Sequence, residues 1–292
     1  MEIVKKRRPL AIARGLVQLC HPLPVLFHAI AVTIFLLLAA WPHFNWLLIL
    51  LAIAAHTAMQ CSIAVLNDYC DRHLDAAGKK NKPLVQGLVR PGEALTFGIG
   101  LMLLMLLLLL PINMPALLIS LLYLAFGQAY NLGLKSTPFS GIVFALAIPL
   151  IPIYAFVAMG HFLPLLYWLV PIAALLGVVL NLANSLPDLE EDAASHARTL
   201  AVFLGLRGTF WTCPLLLALG GCLMALLWYT GLVPALPGLL LSILLVGGLL
   251  ILALSLYSGP GKPRVTRKGY FYLVVLTCLL LGGGWIVATL LA

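Results

Sequence analysis

Charged side chains are the scarcest class in this sequence, 9% of 292 residues. An ordinary soluble domain carries about 25%. That shortage, with 63% hydrophobic residues and a mean hydropathy of +1.11, excludes a soluble globular protein and implies an integral membrane protein. Cysteine is present but unpaired in pattern. The six cysteines (Cys20, Cys61, Cys70, Cys213, Cys222 and Cys278) form no C-x-x-C element and fall mostly in apolar runs, so they read as packing residues. The net charge of +8 is read as membrane topology rather than nucleic-acid binding. A cleaved leader is not expected either, since the apolar stretch after "KKRR" is one of many and reads as a first span.

What remains is mostly apolar and comes in pieces of membrane length. Segments at 23–41, 45–66, 94–110, 115–132, 140–158, 163–183, 209–230, 235–257 and 270–291 predict nine transmembrane helices in one membrane domain, 1–292. A core roughly 30 Å thick needs about 20 residues, so the third and fourth segments are short for the task. Lys and Arg test this count. All 17 lie in the N-terminal arm or in even-numbered loops, and the odd-numbered loops carry no charge of either sign. By the positive-inside rule the N-terminus and the two long loops, 67–93 and 184–208, are cytoplasmic and the C-terminus is outside.

The few acids are concentrated at the starts of those two loops. "NDYCDRHLD" holds Asn67, Asp71 and Asp75 at four-residue steps, and "NSLPDLEED" repeats the spacing with Asn184, Asp188 and Asp192. On an α-helix each such step turns only about 40° and climbs about 6 Å, so each trio lines one face. Asp68 sits about 100° from Asn67 and is the weaker member by this reckoning. Ordinary solvated helix ends would account for either cluster alone; the repeat at one membrane face points to a shared purpose. Facing carboxylates repel, and Mg²⁺ resolves that repulsion, taking one or two carboxylates plus water and phosphate oxygens.

Cations stand nearby: Lys79, Lys80 and Lys82 in "GKKNKP", Tyr130 and Lys135 in "YNLGLK", and Arg198 in "HARTL". Alternating acids and cations suit a metal–diphosphate. Most of these lysines are also explained by topology, but Lys135 is the only charge in its loop.

"NDYCDRHLD", "KPLVQGLVRPGEAL", "YNLGLK" and "DLEEDAASHARTLAVFLG" together resemble the UbiA-type intramembrane prenyltransferase superfamily, and the resemblance covers essentially the whole chain. It implies an all-α helical barrel in lipid with a cytosolic cap. It also implies transfer of a polyprenyl group from a Mg²⁺-bound polyprenyl diphosphate to a lipophilic acceptor. On that basis the metal residues are Asn67, Asp71, Asp75, Asp188 and Asp192. The diphosphate contacts are Lys79, Lys82, Lys135 and Arg198, with Lys135, Tyr130 and Arg198 as catalytic groups. Three features depart from the family pattern: Lys82 where Arg-Pro is common, Glu191 and His196 where glycines are usual, and a Tyr–Lys spacing of five.

The acceptor is less defined. Arg14, His21, Gln60, Asn181 and Asn184 are candidates for its head group, as are Gln18, His28 and His56 on the same polar stripes; packing histidines would look the same. A quinone precursor, a porphyrin-like, a tocopherol-type and a glycerol-phosphate acceptor all remain open. So do two other activities: a membrane terpene cyclase using the same site, and a cation transporter. Transport is disfavoured because the acids gather at one face rather than at the midplane.

Overall fold

A computed structural model describes residues 8–78, 81–162, 164–257 and 264–292. Among them every regular element is helical. Eight helical stretches are long and apolar enough to cross a membrane, beginning with Pro22–Ala40 and ending with Thr266–Leu290. Packing divides the chain into two compact units, Met1–Leu132 with Tyr154–His161, and Gly133–Ile153 with Phe162–Ala292.

The first unit is organised along α3 (Trp46–Gly78), which follows α1 (Pro9–Leu19) and α2 (Pro22–Ala40). Its 33 residues make a rod about 50 Å long, well beyond a hydrocarbon core of roughly 30 Å. The segment expected at 45–66 therefore runs on, unbroken by Gly or Pro, through the whole first acid cluster. The chain folds back along it as α4 (Pro91–Leu109). Gly98 permits their close approach: a Cβ there would lie 2.8 Å from a Leu66 methyl, and Ser62 Oγ donates to the Gly98 carbonyl at 2.8 Å. The connecting turn is closed by Gln86 N–H on the Lys82 carbonyl (2.9 Å) and pinned by buried Val89. Val89 packs with Leu19, Val65 and Ala94. That small core fixes Lys82 beside the end of α3.

α5 (Met114–Asn131) is an 18-residue helix, capped by Asn113 Oδ1 accepting from Ala116 N–H at 2.8 Å. It corresponds to the fourth expected span but is outside the eight, and its last turn carries the polar Gln128, Tyr130 and Asn131.

In the second unit, α8 (Leu165–Ser185) is packed against α6 (Ser140–Ala147), α10 (Leu200–Tyr229) and α12 (Arg264–Leu290), and α11 (Pro237–Tyr257) lies along α10 and α12. α7 (Leu150–Ala158) follows α6, and the unit boundary falls within it. Gly177 on α8 meets α6 so closely that a Cβ would collide with the Phe144 carbonyl. α8 stops at Ser185, where Pro187 opens a 3₁₀ turn, Leu186–Asp188, leading into the short α9 (Leu189–Ala194). α10 is broken at Gly205 (φ 70°), a left-handed conformation that favours glycine.

Exposed leucines cover the outer faces. Leu103 and Leu107 on α4, and Leu241, Leu245, Leu249, Leu252 and Leu256 on α11, are all more than half exposed. Apolar bands of that extent need lipid against them.

Candidate functional site

The end of α3 presents two faces. Asp68 and Asp75 are seven residues apart, about 20° around the helix, and share one of them. Both are buried, and Lys82 Nζ bridges them, 2.7 Å from Asp68 Oδ1 and 2.6 Å from Asp75 Oδ2. Burial alone would lower the Lys82 pKa; the charge of Asp68 and hydrogen bonds to both carboxylates outweigh it and hold the pKa above the usual lysine value. His21 Nε2 lies 3.1 Å from the same Asp68 oxygen, at ion-pair distance but without hydrogen-bond alignment. It reaches there because the chain turns sharply between α1 and α2, with His21 at φ 50°.

Asn67 and Asp71 are half-buried and lie on the neighbouring face. Asn67 Nδ2 donates to Asn131 Oδ1 at 2.8 Å, and Asn131 donates in turn to the Ile63 carbonyl (2.9 Å) and to Gln128 Oε1 (3.2 Å). Asn67 is thereby tied to the last turn of α5, with its own amide oxygen as the ligand atom it can offer. Arg72 folds back over Tyr69, 4.4 Å from the ring centroid.

This arrangement changes the weight of two residues. Spacing grouped Asp75 with Asn67 and Asp71 and made Asp68 secondary, whereas Asp75 and Asp68 share Lys82. The i, i+7 relation that pairs them was present in the sequence. Its consequence depended on a lysine brought back by a turn, which no periodicity reveals.

The donor set fits Mg²⁺. Asn67, Asp71 and Asp75 can offer oxygen as ligand atoms, and a cation of single charge, the Lys82 ammonium, already bridges Asp75 and Asp68. Among the described residues no three His, Cys, Asp or Glu side chains converge on one point. A closed zinc-type site needs such convergence; a cation that fills its shell with water and phosphate does not.

The second cluster is built differently. Asn184 is exposed at the end of α8, Asp188 ends the 3₁₀ turn and Asp192 lies on α9; both aspartates are half-buried. The continuous helix that would put the three on one face is interrupted at Leu186–Asp188. A 3₁₀ turn advances its side chains by about 120° per residue. Arg267 of α12 holds the interruption: Nη1 and Nη2 bind Glu190 Oε2 and Oε1 at 2.6 and 2.7 Å, and Nη1 also donates to the Leu186 carbonyl at 3.2 Å. Neither Arg267 nor Glu190 stood out in the sequence, where each is one charge in a run of charges. After α9 the chain turns at His196, whose φ of 61° explains why a glycine would sit there without strain.

Lys135 and Arg198 belong to one corner of this unit. Lys135 is half-buried in a single 3₁₀ turn, Leu134–Ser136, and the Arg198 N–H donates to the Ser136 carbonyl at 2.9 Å. Asn181 is fully buried beside them, its Oδ1 accepting from Ser140 Oγ at 3.2 Å while Ser140 Oγ accepts from the Leu200 N–H at 3.3 Å. Ser140, absent from the expected residues, is what joins them. The Arg198 side chain is exposed, and Tyr130 is half-buried in the last turn of α5.

Among the acceptor candidates, Arg14 is exposed on α1, and His21 belongs to the Asp68 cluster. Gln60 is buried, Nε2 3.3 Å from His56 Nε2, and His56 lies among the rings of His28, Tyr123 and Tyr154 with centroids 5.6–6.0 Å away. His56 is eleven residues before Asn67, about 16 Å back along α3. Lys79 lies outside the described residues.

A model of the UbiA prenyltransferase family matches residues 26–276 of this chain. A 4-hydroxybenzoate octaprenyltransferase of Nitrosomonas europaea is 32% identical over 154 residues, 50% of this chain and 51% of that protein. A digeranylgeranylglyceryl phosphate synthase of Thermococcus sibiricus is 31% identical over 153 residues, 52% and 54% of the two chains. The chain thus spans about half the length of these curated relatives. In fold it is similar to a UbiA homolog from Archaeoglobus fulgidus bound to GPP and Mg²⁺, with a TM-score of 0.71 and 18% identity over 94% of this chain and 99% of that one. It is similar also to the apo form of a UbiA homolog from Aeropyrum pernix K1, with a TM-score of 0.70 and 20% identity over 90% and 97% of the two chains. A family match of that extent, on a helical membrane fold carrying both acid clusters, identifies the chain as a member of the UbiA prenyltransferase family.

Proposed function

We propose that this protein is a Mg²⁺-dependent intramembrane prenyltransferase that moves a polyprenyl group from an allylic diphosphate to a lipophilic acceptor. The observation that carries it is the pair of acid clusters, each at the end of a helix of membrane length and each beside its own cations. Mg²⁺, when bound, would neutralise diphosphate oxygens and so favour departure of the leaving group.

The roles of the chain's own residues follow from their chemistry. Asn67, Asp71 and Asp75 of the first cluster and Asp188 and Asp192 of the second would supply the metal ligands. Lys82 supplies the counter-charge for the buried carboxylates of Asp68 and Asp75, bridging them at 2.7 and 2.6 Å. Lys79, Lys135 and Arg198 would carry the remaining diphosphate charge, and Tyr130 would orient a phosphate or face the allylic cation with its ring. Apolar walls would shield that cation from water.

The family match runs unbroken across both packing units, which supports one membrane domain over 1–292. Taking α5 as a span beside the eight found among the described residues supports a count of nine, and the positive-inside charge pattern supports a cytoplasmic N-terminus and cytoplasmic acid clusters with the C-terminus outside. For the acceptor, the 4-hydroxybenzoate octaprenyltransferase relatives favour an aromatic quinone precursor.

The test is incubation of the purified protein with labelled C10–C20 allylic diphosphates, Mg²⁺ and a panel of aromatic and glycerol-phosphate acceptors, read by product mass spectrometry. A prenylated aromatic acid with stoichiometric diphosphate is expected. A cyclic hydrocarbon formed without acceptor would replace this reading by a terpene cyclase. Gradient-driven cation uptake with no diphosphate released would replace it by a transporter.

A further inference from the structure

Asp188 lies at a break in the backbone, and something must keep that break in one shape. α8 ends at Ser185, the 3₁₀ turn Leu186–Asp188 follows and α9 begins at Leu189, so the helical pitch changes at Asp188. Arg267 spans the gap from the first turns of α12. One guanidinium nitrogen serves the Leu186 carbonyl on the near side of Asp188, and the fork grips Glu190 on the far side. The arginine side chain is 8% exposed and Glu190 is 60% exposed, so the pair is anchored at the arginine end and reaches outward to the turn. A buried guanidinium is tolerated only with a matched anion, and the planar fork fixes the orientation of that anion as well as its distance.

We propose that Arg267 is a positioning residue for the second acid cluster: together with Glu190 it clamps residues 186–190 so that Asp188 presents its carboxylate to the metal–diphosphate. On this view Glu190 is not a metal ligand, and its charge is committed to Arg267. The inference rests on the metal–diphosphate role proposed above for Asp188.

The test measures binding of Mn²⁺ with inorganic diphosphate by electron paramagnetic resonance on the full chain in nanodiscs, alongside unfolding temperature and KM for geranyl diphosphate. The double variant Arg267→Met/Glu190→Gln removes both charges together and leaves neither one stranded. It is expected to fold but to bind Mn²⁺–diphosphate roughly 10- to 100-fold more weakly, the usual range for losing an outer partner of a metal site. Arg267→Lys, which keeps the charge and loses the fork, is expected to fall between it and the wild type. Wild-type binding in either variant overturns the clamp. Asp188→Asn separates the two claims. If it loses binding while the double variant does not, only the clamp fails. If Asp188→Asn itself binds like the wild type, the metal role of the cluster fails and the clamp with it.

Discussion

The two acid clusters have the same spacing and different skeletons. The first rides on an uninterrupted helix, α3, and is held by a lysine that a turn brings back onto it. The second straddles a broken helix and is held by an arginine from a helix more than seventy residues further along. In the first, the cation touches two members of the cluster, Asp68 and Asp75. In the second, Arg267 grips Glu190, one of the two glutamates between Asp188 and Asp192. Equal spacing therefore does not mean equal geometry; whether the helix continues decides which side chains share a face.

The largest effects are expected from the clusters themselves. Asp71→Asn and Asp188→Asn should each lower prenyl transfer by roughly 100- to 1,000-fold, the range for removing one pre-organised electrostatic contact. Unchanged turnover in one of them, measured on purified protein, would show that only the other cluster works.

Next comes the cation at the first cluster. Lys82→Met removes the ammonium that bridges buried Asp68 and Asp75 and should destabilise the fold by about 3–5 kcal/mol. Thermal denaturation checks this, and adding Asp68→Asn to the same chain should recover part of the loss. No recovery would mean that the pairing of Asp68 with Lys82 contributes little.

Helix packing behind each cluster should respond less, and unequally. Gly177→Ala drives a Cβ into the Phe144 backbone and should cost about 1–3 kcal/mol. Gly98→Ala meets only the end of the Leu66 side chain, which can rotate away, and should cost less. Denaturation of both variants side by side tests that order. The smallest change, His196→Gly, relieves a left-handed φ and should stabilise the second unit by about 1 kcal/mol.

Much of the fold was legible because hydropathy and charge report on lipid and water directly. The long apolar runs marked eight of the nine expected spans among the described residues, with shifted ends, and the fourth, α5, falls outside the eight. α3 runs to Gly78 rather than 66, and α10 starts at Leu200 rather than 209, since polar residues outside the hydrocarbon stay helical without adding to hydropathy. α5 shows the converse, a helix whose last turn is polar, with Gln128, Tyr130 and Asn131.

The site was legible as residue types and only partly as geometry. Asn67, Asp71 and Asp75 follow from a period that α3 obeys. The Asn184–Asp188–Asp192 run crosses a 3₁₀ turn rather than one continuous α-helix, and Pro187 stood in the middle of it as a visible helix breaker. Lys82 on Asp68, Ser140 on Asn181 and Arg267 on Glu190 span 14, 41 and 77 residues and depend on packing that no local pattern encodes. Charge in a run of like charges carries little information; the same charge buried carries a great deal.

The central claim is that a divalent cation at these clusters is required for prenyl transfer. The direct measurement is transfer of a labelled geranyl group to 4-hydroxybenzoate by purified protein treated with EDTA, before and after Mg²⁺ is restored. No product is expected without the metal, with full recovery when it is returned to the wild type and roughly 100- to 1,000-fold less transfer when it is returned to Asp71→Asn or Asp188→Asn. Full transfer in the metal-stripped protein would contradict the account.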